Sequence, residues 1–426
     1  MGLLALLYEG AAQAARVGAR FAPASGGKTS RSLAARDGLT DRWRAWASGG
    51  RDEARPLLWM HAPSVGEGLQ ARPVLEHVRE ALPSAQLAYT FFSPSAEPFA
   101  RALPVDHADF LPFDTTGDAR AMLEALRPRA LVFSKLDVWP TLTREAAARG
   151  VKLGLVSATL GEGSGRRSPL ARALLGDAYA RLDRVGAIDE EDASRLVALG
   201  VRANAVRVTG DTRYDQVWAR AERADRRGAL LAPLASSRPT LVAGSTWPAD
   251  EHVLLEAWRI ARERVRDARL IIAPHEPTPP HLEPIERWAR EARIALARLG
   301  AADAPTAEFV LVDRVGVLGD LYALATAAFV GGGFHDAGLH SVLEPAAFGA
   351  PVLFGPRHER SRDARLLLAC GGGATAGHAP TLAERIVLWL NGGPAAESAG
   401  NAARALVRGG LGAAERATAI VLDLMA

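Results

Sequence analysis

A glutamate between two glycines, in Pro63-Ser64-Val65-Gly66-Glu67-Gly68, directly follows the apolar run 57–62. The glycines let the backbone turn sharply and leave the carboxylate at a strand-to-helix junction. There Glu67 can take a proton from a hydroxyl, or simply complement the dipole of a helix start. A second group, Gly244-Ser245-Thr246-Trp247-Pro248, places small hydroxyls and backbone N–H groups before a helix, which suits a phosphate and equally suits ordinary N-capping. His275 follows the run 268–274 and can donate to a phosphate or satisfy a loop carbonyl. The longest block runs from Gly331-Gly332-Gly333 through Gly338, His340 and Ser341 to Glu344. Its glycines permit close approach of a phosphate, and a carboxylate near a helix start can accept two hydrogen bonds from ribose hydroxyls; the alternative is a tightly turned loop. The ten histidines show no HxxxH-like spacing beside carboxylates, so no metal centre is expected.

These residues need a scaffold that sets them at the ends of strands. From residue 57 short apolar runs alternate with amphipathic stretches: 57–62, 86–93, 130–134, 152–158 and 184–189 read as strands, and 115–126, 140–150 and 190–200 as helices. The rhythm breaks in an Arg- and Ala-rich segment, 212–238, and restarts with strands at 240–245, 268–274, 308–313, 327–332 and 350–355 and a strongly periodic helix over 250–265. Strand, helix, strand at this spacing predicts parallel sheets with right-handed crossovers, and the restart predicts two consecutive α/β domains. The expected division is an N-terminal segment 1–45, a first domain 46–211, a linker 212–238 and a second domain 239–426 whose last helix packs back on the first. The glycine-rich stretches 370–377 and 391–400 read as loops. In open α/β sheets ligands sit beyond the carboxyl ends of the strands, where every group named above falls.

The chain has 426 residues, enough for two domains of ordinary size, and a single cysteine, Cys370, which excludes an intrachain disulfide. No apolar run reaches the roughly 18 residues needed to span a bilayer. Net charge is +3, but residues 10–44 alone carry +5, from Arg16, Arg20, Lys28, Arg31, Arg36, Arg42 and Arg44 against Asp37 and Asp41. This cluster follows the apolar start Gly2-Leu3-Leu4-Ala5-Leu6-Leu7-Tyr8, an arrangement that suits an anionic membrane surface or, more simply, a solvated terminus. On the membrane reading, residues 1–45 tether the protein and contribute little to the fold.

PSVGEG (63–68), LDVWP (136–140), VTGDTRYD (208–215), GSTWPADE (244–251), APHE (273–276), VDRVGVLGDLYALA (312–325) and the block 331–356 occur in one order. Together they resemble the 3-deoxy-D-manno-octulosonic acid (Kdo) transferases of lipopolysaccharide synthesis, over essentially the whole chain from residue 57. The resemblance implies a GT-B glycosyltransferase: two Rossmann-like domains facing across a cleft, acceptor side first and donor side second. It implies inverting transfer of Kdo from CMP-Kdo to a lipid A precursor at the cytoplasmic face of the inner membrane, with no cofactor, no bound metal and no nucleic-acid partner. By that similarity Glu67 is the general base, with Ser64, Gly66 and Asp137 on the acceptor side. Gly244, Ser245, Thr246, His275, Gly316, Val317, Leu318, Gly338, His340, Ser341 and Glu344 match the motifs on the nucleotide side.

The chain departs from the family at two places. Ser341 stands where the family commonly has Asn. Lys135 and Asp137 stand where an acidic pair often precedes the Trp-Pro, so Lys135 reverses a charge. Two other readings compete: a different nucleotide-sugar enzyme on the same scaffold, such as a UDP-N-acetylglucosamine 2-epimerase, and an inactive paralogue that binds nucleotide or lipid. The PSVGEG loop argues against the first, and retention of Glu67 and Glu344 against the second.

Overall fold

The structure, a computed structural model, describes residues 3–19, 21, 27–336 and 338–426. Met1, Gly2 and Arg20 of the apolar start and basic cluster, and Ala337 of the glycine-rich block, lie outside the described residues. The chain forms two compact units: residues up to Gln216 together with Leu411–Ala426, and Val217–Gly410.

The first unit holds a seven-stranded sheet of β1 (Leu57–His61), β2 (Gln86–Phe91), β3 (His107–Phe110), β4 (Ala130–Ser134), β5 (Lys152–Ala158), β6 (Arg184–Ala187) and β7 (Val206–Val208). Their spatial order is β3-β2-β1-β4-β5-β6-β7, and every pairing is parallel. Strands β1, β2 and β4 are buried at every residue, which is why they read as unbroken apolar runs and not as alternating ones. The terminal helix Ala413–Met425 belongs to this unit. Asp215 caps its start, accepting from Gly412 N at 2.7 Å and Ala414 N at 2.9 Å. Gly154 leaves room for Leu424: a Cβ there would meet Leu424 Cδ1 at 2.5 Å.

Three helices precede the sheet: α1 (Leu3–Ala19), α2 (Lys28–Ala34) and α3 (Leu39–Gly50). They are not an appendage. Trp43 of α3 is fully buried and donates to Phe110 O at 3.3 Å. In α1, Tyr8 donates to Asp114 at 2.8 Å, and Glu9 accepts from Thr116 N at 2.9 Å. Three described arginines of the basic cluster are engaged within the fold. Arg16 pairs with Asp118 at 2.9 Å and Arg42 with Asp109 at 2.8 Å, while Arg36 is buried and donates to Leu111 O at 2.9 Å. The expectation that residues 1–45 contribute little to the fold is therefore corrected, because the tryptophan and arginines supply core packing and ion pairs. α1 leaves apolar side chains in solvent: Leu6 is 54% and Leu7 61% exposed and Val17 is also exposed, as is Phe21 beyond the helix.

The second unit repeats the plan with β8 (Thr240–Thr246), β9 (Arg269–Pro274), β10 (Leu296–Arg298), β11 (Phe309–Leu311), β12 (Ala327–Val330), β13 (Val352–Phe354) and β14 (Gly373–Thr375). The order is β10-β11-β9-β8-β12-β13-β14, again parallel throughout. Two stretches read as loops are ordered elements. Gly373–Thr375 pairs with β13 at the sheet edge, and Pro394–Gly409 is a helix. Pro394 stands at its first turn, where a missing N–H is harmless, and alanines fill its buried face. The segment 212–238 carries the helix Arg213–Arg223.

In each sheet the strand order reverses once, between β1 and β4 and between β8 and β12. Chain segments leaving neighbouring strands at such a reversal diverge, opening a crevice at the strand ends. Glu67, Asp137 and the glycine-rich block follow β1, β4 and β12, and Gly244, Ser245 and Thr246 close β8, while His275 follows β9 and Gly316, Val317 and Leu318 follow β11.

Candidate functional site

In the first domain β1 leads through Pro63 into α4 (Val65–Ala81), with Ser64 as N-cap, its Oγ accepting from Gly66 N at 3.2 Å. This puts Glu67 in the first helical turn, where its carboxylate accepts from Ser64 Oγ and from Lys135 Nζ at 3.0 Å. Ser134, at the end of β4, donates to Glu67 O at 3.3 Å. Burial by itself pushes the Glu67 carboxyl up. The Lys135 ammonium and the bonds from Ser64 and Lys135 outweigh it, holding the carboxyl below its ordinary range. Lys135 takes the left-handed conformation, φ 67°, with its N–H bonded to Val156 O at 2.8 Å. Glu67 is thus an ionised, oriented carboxylate at the β1/β4 reversal.

Asp137 joins a different cluster. His61, fully buried at the end of β1, contacts it through Nε2 at 3.0 Å, and Trp139 Nε1 donates to it at 3.1 Å. Burial raises Asp137, but these bonds with His61 and Trp139, together with Arg166, bring it below the usual carboxylate range. Phe92 stacks on Trp139 at 5.8 Å between ring centroids, leaving a partly exposed aromatic surface beside the carboxylate.

In the second domain β8 ends at Thr246 and the helix Pro248–Arg264 begins two residues later. The glycine-rich exit of β12 packs directly on this turn. A Cβ at Gly331 would meet Ser245 O at 2.2 Å, at Gly332 Gly338 O at 2.2 Å, and at Gly333 Gly355 N at 2.4 Å. Gly331 N donates to Gly244 O at 2.9 Å, and Gly332 N and Phe334 N donate to Asp250 at 2.8 and 3.1 Å. The sequence suggests that these glycines admit a phosphate; here they admit other backbone segments, and three of the loop's N–H groups are already bonded. Asp250, fully buried, also accepts from Trp247 N at 3.0 Å and so ties the β8 turn to the β12 exit. Burial outweighs these three donors and pushes its carboxyl up.

Each nucleotide-side residue has a definite place. Gly244 lets Tyr322 and Leu318 approach: a Cβ would meet Tyr322 Oη at 2.1 Å and Leu318 Cδ1 at 2.8 Å. Ser245 adopts φ 54°. Thr246 is buried and donates to Glu251 at 2.9 Å, a bond that anchors the helix start. Gly316, at φ 89°, accepts from Arg220 at 3.2 Å, and Val317 precedes the short helix Leu318–Leu321. Gly338 is at φ 98°, and Ser341 lies half-buried just before the helix Leu343–Ala347. Glu344 opens that helix, its carboxyl raised by burial, opposed by Arg220 and reinforced by Asp320.

His275 and His340 meet around Trp247. His275 stacks on the indole at 4.6 Å, His335 stacks on it at 5.0 Å, and the His275 and His340 rings lie 4.6 Å apart. Trp247 Nε1 donates to His340 Nε2 at 3.1 Å. Burial and neighbouring His275 push His340 down to about 4. Trp247 and Asp250 were not singled out from the sequence. The available signal was an acidic residue at the third helical position after Trp-Pro, a capping-box pattern.

A family model described as "3-Deoxy-D-manno-octulosonic-acid transferase (kdotransferase)" matches residues 33–216. The chain is 31% identical over 369 residues to the 3-deoxy-D-manno-octulosonic acid transferase of Bordetella pertussis, covering 84% of this chain and 85% of that one. It is 24% identical to the enzyme of the same name from Haemophilus influenzae, with 86% of each covered. Among solved structures, UDP-GlcNAc 2-epimerase from Methanocaldococcus jannaschii aligns with TM-score 0.57 at 15% identity, over 83% of this chain and 98% of that one. A glycosyltransferase from Rickettsia africae ESF-5 aligns with TM-score 0.56 at 9% identity, over 87% of this chain and 98% of that one. At such identity these structures report the fold, and the fold class is that of GT-B glycosyltransferases.

Proposed function

The chain belongs to the 3-deoxy-D-manno-octulosonic acid (Kdo) transferase family, and from that premise we propose that it moves Kdo from CMP-Kdo to a hydroxyl of a lipid A precursor with inversion. The observation that carries the reading is Glu67, ionised and held by Lys135 and Ser64 at the first domain's strand-order reversal. In the proposed step an acceptor hydroxyl attacks the anomeric carbon of Kdo as Glu67 takes its proton. The bond from that carbon to the CMP phosphate oxygen breaks, and the electron pair leaves with CMP.

The second domain is assigned the donor. Glu344, half-buried, supplies acceptor oxygens for ribose hydroxyls, and His275, His340 and Ser341 supply polar contacts. The leaving phosphate is stabilised in this account by protein donors. Among the described residues no group of three or more His, Cys, Asp or Glu could hold a metal ion. Asp137, with the Phe92–Trp139 surface beside it, is assigned to the acceptor sugar.

No helix among the described residues is long and apolar enough to cross a membrane. The exposed Leu6, Leu7, Val17 and Phe21 are assigned to contact with the cytoplasmic face of the inner membrane, next to the lipid acceptor. Mass spectrometry of the products from CMP-Kdo, generated in situ, and a lipid A precursor tests the whole reading. An acceptor heavier by one or more Kdo residues is expected; an unmodified acceptor with intact protein contradicts it.

A further inference from the structure

An indole N–H can only donate a hydrogen bond. The 3.1 Å bond from Trp247 Nε1 therefore requires a lone pair on His340 Nε2. A neutral imidazole with Nε2 as acceptor carries its proton on Nδ1. Both partners are fixed through their backbones: Trp247 N donates to Asp250 at 3.0 Å, and His340 N donates to Gly331 O at 3.1 Å. The indole cannot swing away, because His275 and His335 stack on it at 4.6 and 5.0 Å.

We propose that Trp247 is a positioning residue that fixes His340 as the neutral Nδ1–H tautomer, so that this imidazole offers one directed N–H to an oxygen of the bound nucleotide. The nucleotide half of this inference rests on the donor-domain assignment above; the tautomer half rests on geometry alone. The groups facing His340 agree with an uncharged ring. Its ring neighbours are the Trp247 indole and the His275 imidazole. The nearby Asp250 carboxylate already accepts from the N–H groups of Trp247, Gly332 and Phe334. Burial, with His275 beside it, pushes His340 down to about 4, so the ring is neutral at physiological pH. A neutral donor of fixed direction binds an oxygen without its strength changing across that range, which a free histidine would not do.

The experiment uses the full chain labelled with 15N-histidine, recording the long-range imidazole spectrum between about pH 5 and 8 with and without CMP. His340→Gln identifies the His340 signals by their loss. The wild type is expected to show His340 as a single Nδ1–H tautomer that does not titrate in this window, with its Nδ1 signal moving when CMP binds. Trp247→Phe keeps an aromatic ring in the stack and removes the N–H together with the pyrrole part of the indole. It is expected to release the tautomer, raise the pH at which His340 protonates and weaken CMP roughly three- to tenfold, with little change in melting temperature. An Nε2–H tautomer or an imidazolium at neutral pH in the wild type overturns the proposal whether or not the variant folds. Unchanged tautomer and CMP affinity in a folded Trp247→Phe overturns the positioning role. If the wild type binds no CMP, the donor-domain assignment and the nucleotide half fall together, and the spectrum without CMP still decides the tautomer.

Discussion

Lys135 Nζ stands 3.0 Å from Glu67 Oε1, joining the exit of β4 to the first turn of α4. The lysine that reads in the sequence as a charge reversal is, in the fold, the counter-ion of the carboxylate. Its left-handed backbone, pinned by the bond to Val156 O, turns the side chain back toward α4. A base held this way has its ionised form favoured over that of an ordinary glutamate, and its bonds to Lys135 and Ser64 orient it.

Replacing Lys135 by Met should move the acid limb of the pH–rate profile upward. The sign follows from the causes: burial raises the Glu67 carboxyl, and Lys135 is the largest of the opposing influences that bring it below its ordinary range. Without the ammonium, Glu67 protonates at higher pH and activity is lost earlier on acidification. Initial rates across an acidic pH series check this. An acid limb that stays in place or moves down would show that Glu67 is not the titrating base.

Asp250 should matter more than its place among ordinary helix-start residues suggests. It accepts three backbone N–H groups from two separate segments. Asp250→Ala leaves these donors buried and unpaired, which should cost about 2–4 kcal/mol of stability. Denaturant melts of the variant measure it; a change under about 0.5 kcal/mol, the scale of ordinary surface substitutions, contradicts the clamp.

Glu344 should give CMP binding a pH dependence. Its carboxyl is raised by burial, so acidification protonates it sooner than an ordinary glutamate, and CMP affinity should fall toward acidic pH. Glu344→Ala should lose about tenfold to a hundredfold in affinity at neutral pH and no longer weaken on acidification. Calorimetry of wild type and variant at two pH values decides it, and unchanged affinity in a folded variant removes Glu344 from the donor site.

Much of the sheet architecture was legible because parallel strands covered on both faces are nearly pure apolar runs, as in Leu57–His61 and Ala130–Ser134. The strands missed are short and lie at or next to sheet edges: His107–Phe110, Val206–Val208, Leu296–Arg298 and Gly373–Thr375. Three or four residues with polar or glycine members carry no period to detect. The helix Pro394–Gly409 was hidden by the glycines before it, although alanine is itself the strongest helix former. Of the candidate site, Glu67 and the proposed nucleotide-side residues were named from their motifs. The Asp250 clamp and the Trp247–His340 bond were not. They join residues 82 and 93 positions apart, and only the packed sheet brings them together.

Membrane contact should be apolar in character. Arg16, Arg36 and Arg42 of the basic cluster have partners within the fold, whereas Leu6 and Leu7 are exposed. Flotation with anionic vesicles should therefore survive about 0.5 M salt, which screens surface charges beyond a few ångströms. Leu6→Asp with Leu7→Asp should abolish it. Binding that disappears in salt and persists in the double variant would reverse the assignment.

The central claim is that Glu67 takes the acceptor proton, and Glu67→Gln tests it most directly. Glutamine keeps the size and most of the hydrogen bonding to Ser64 and Lys135 but cannot act as a base. Turnover of Kdo transfer, measured beside CMP affinity and melting temperature, should fall by about 10²–10⁴-fold while the other two change little. Near-normal turnover, with at most a stability loss under about 1 kcal/mol, would instead mark Glu67 as a carboxylate that only complements the start of its helix.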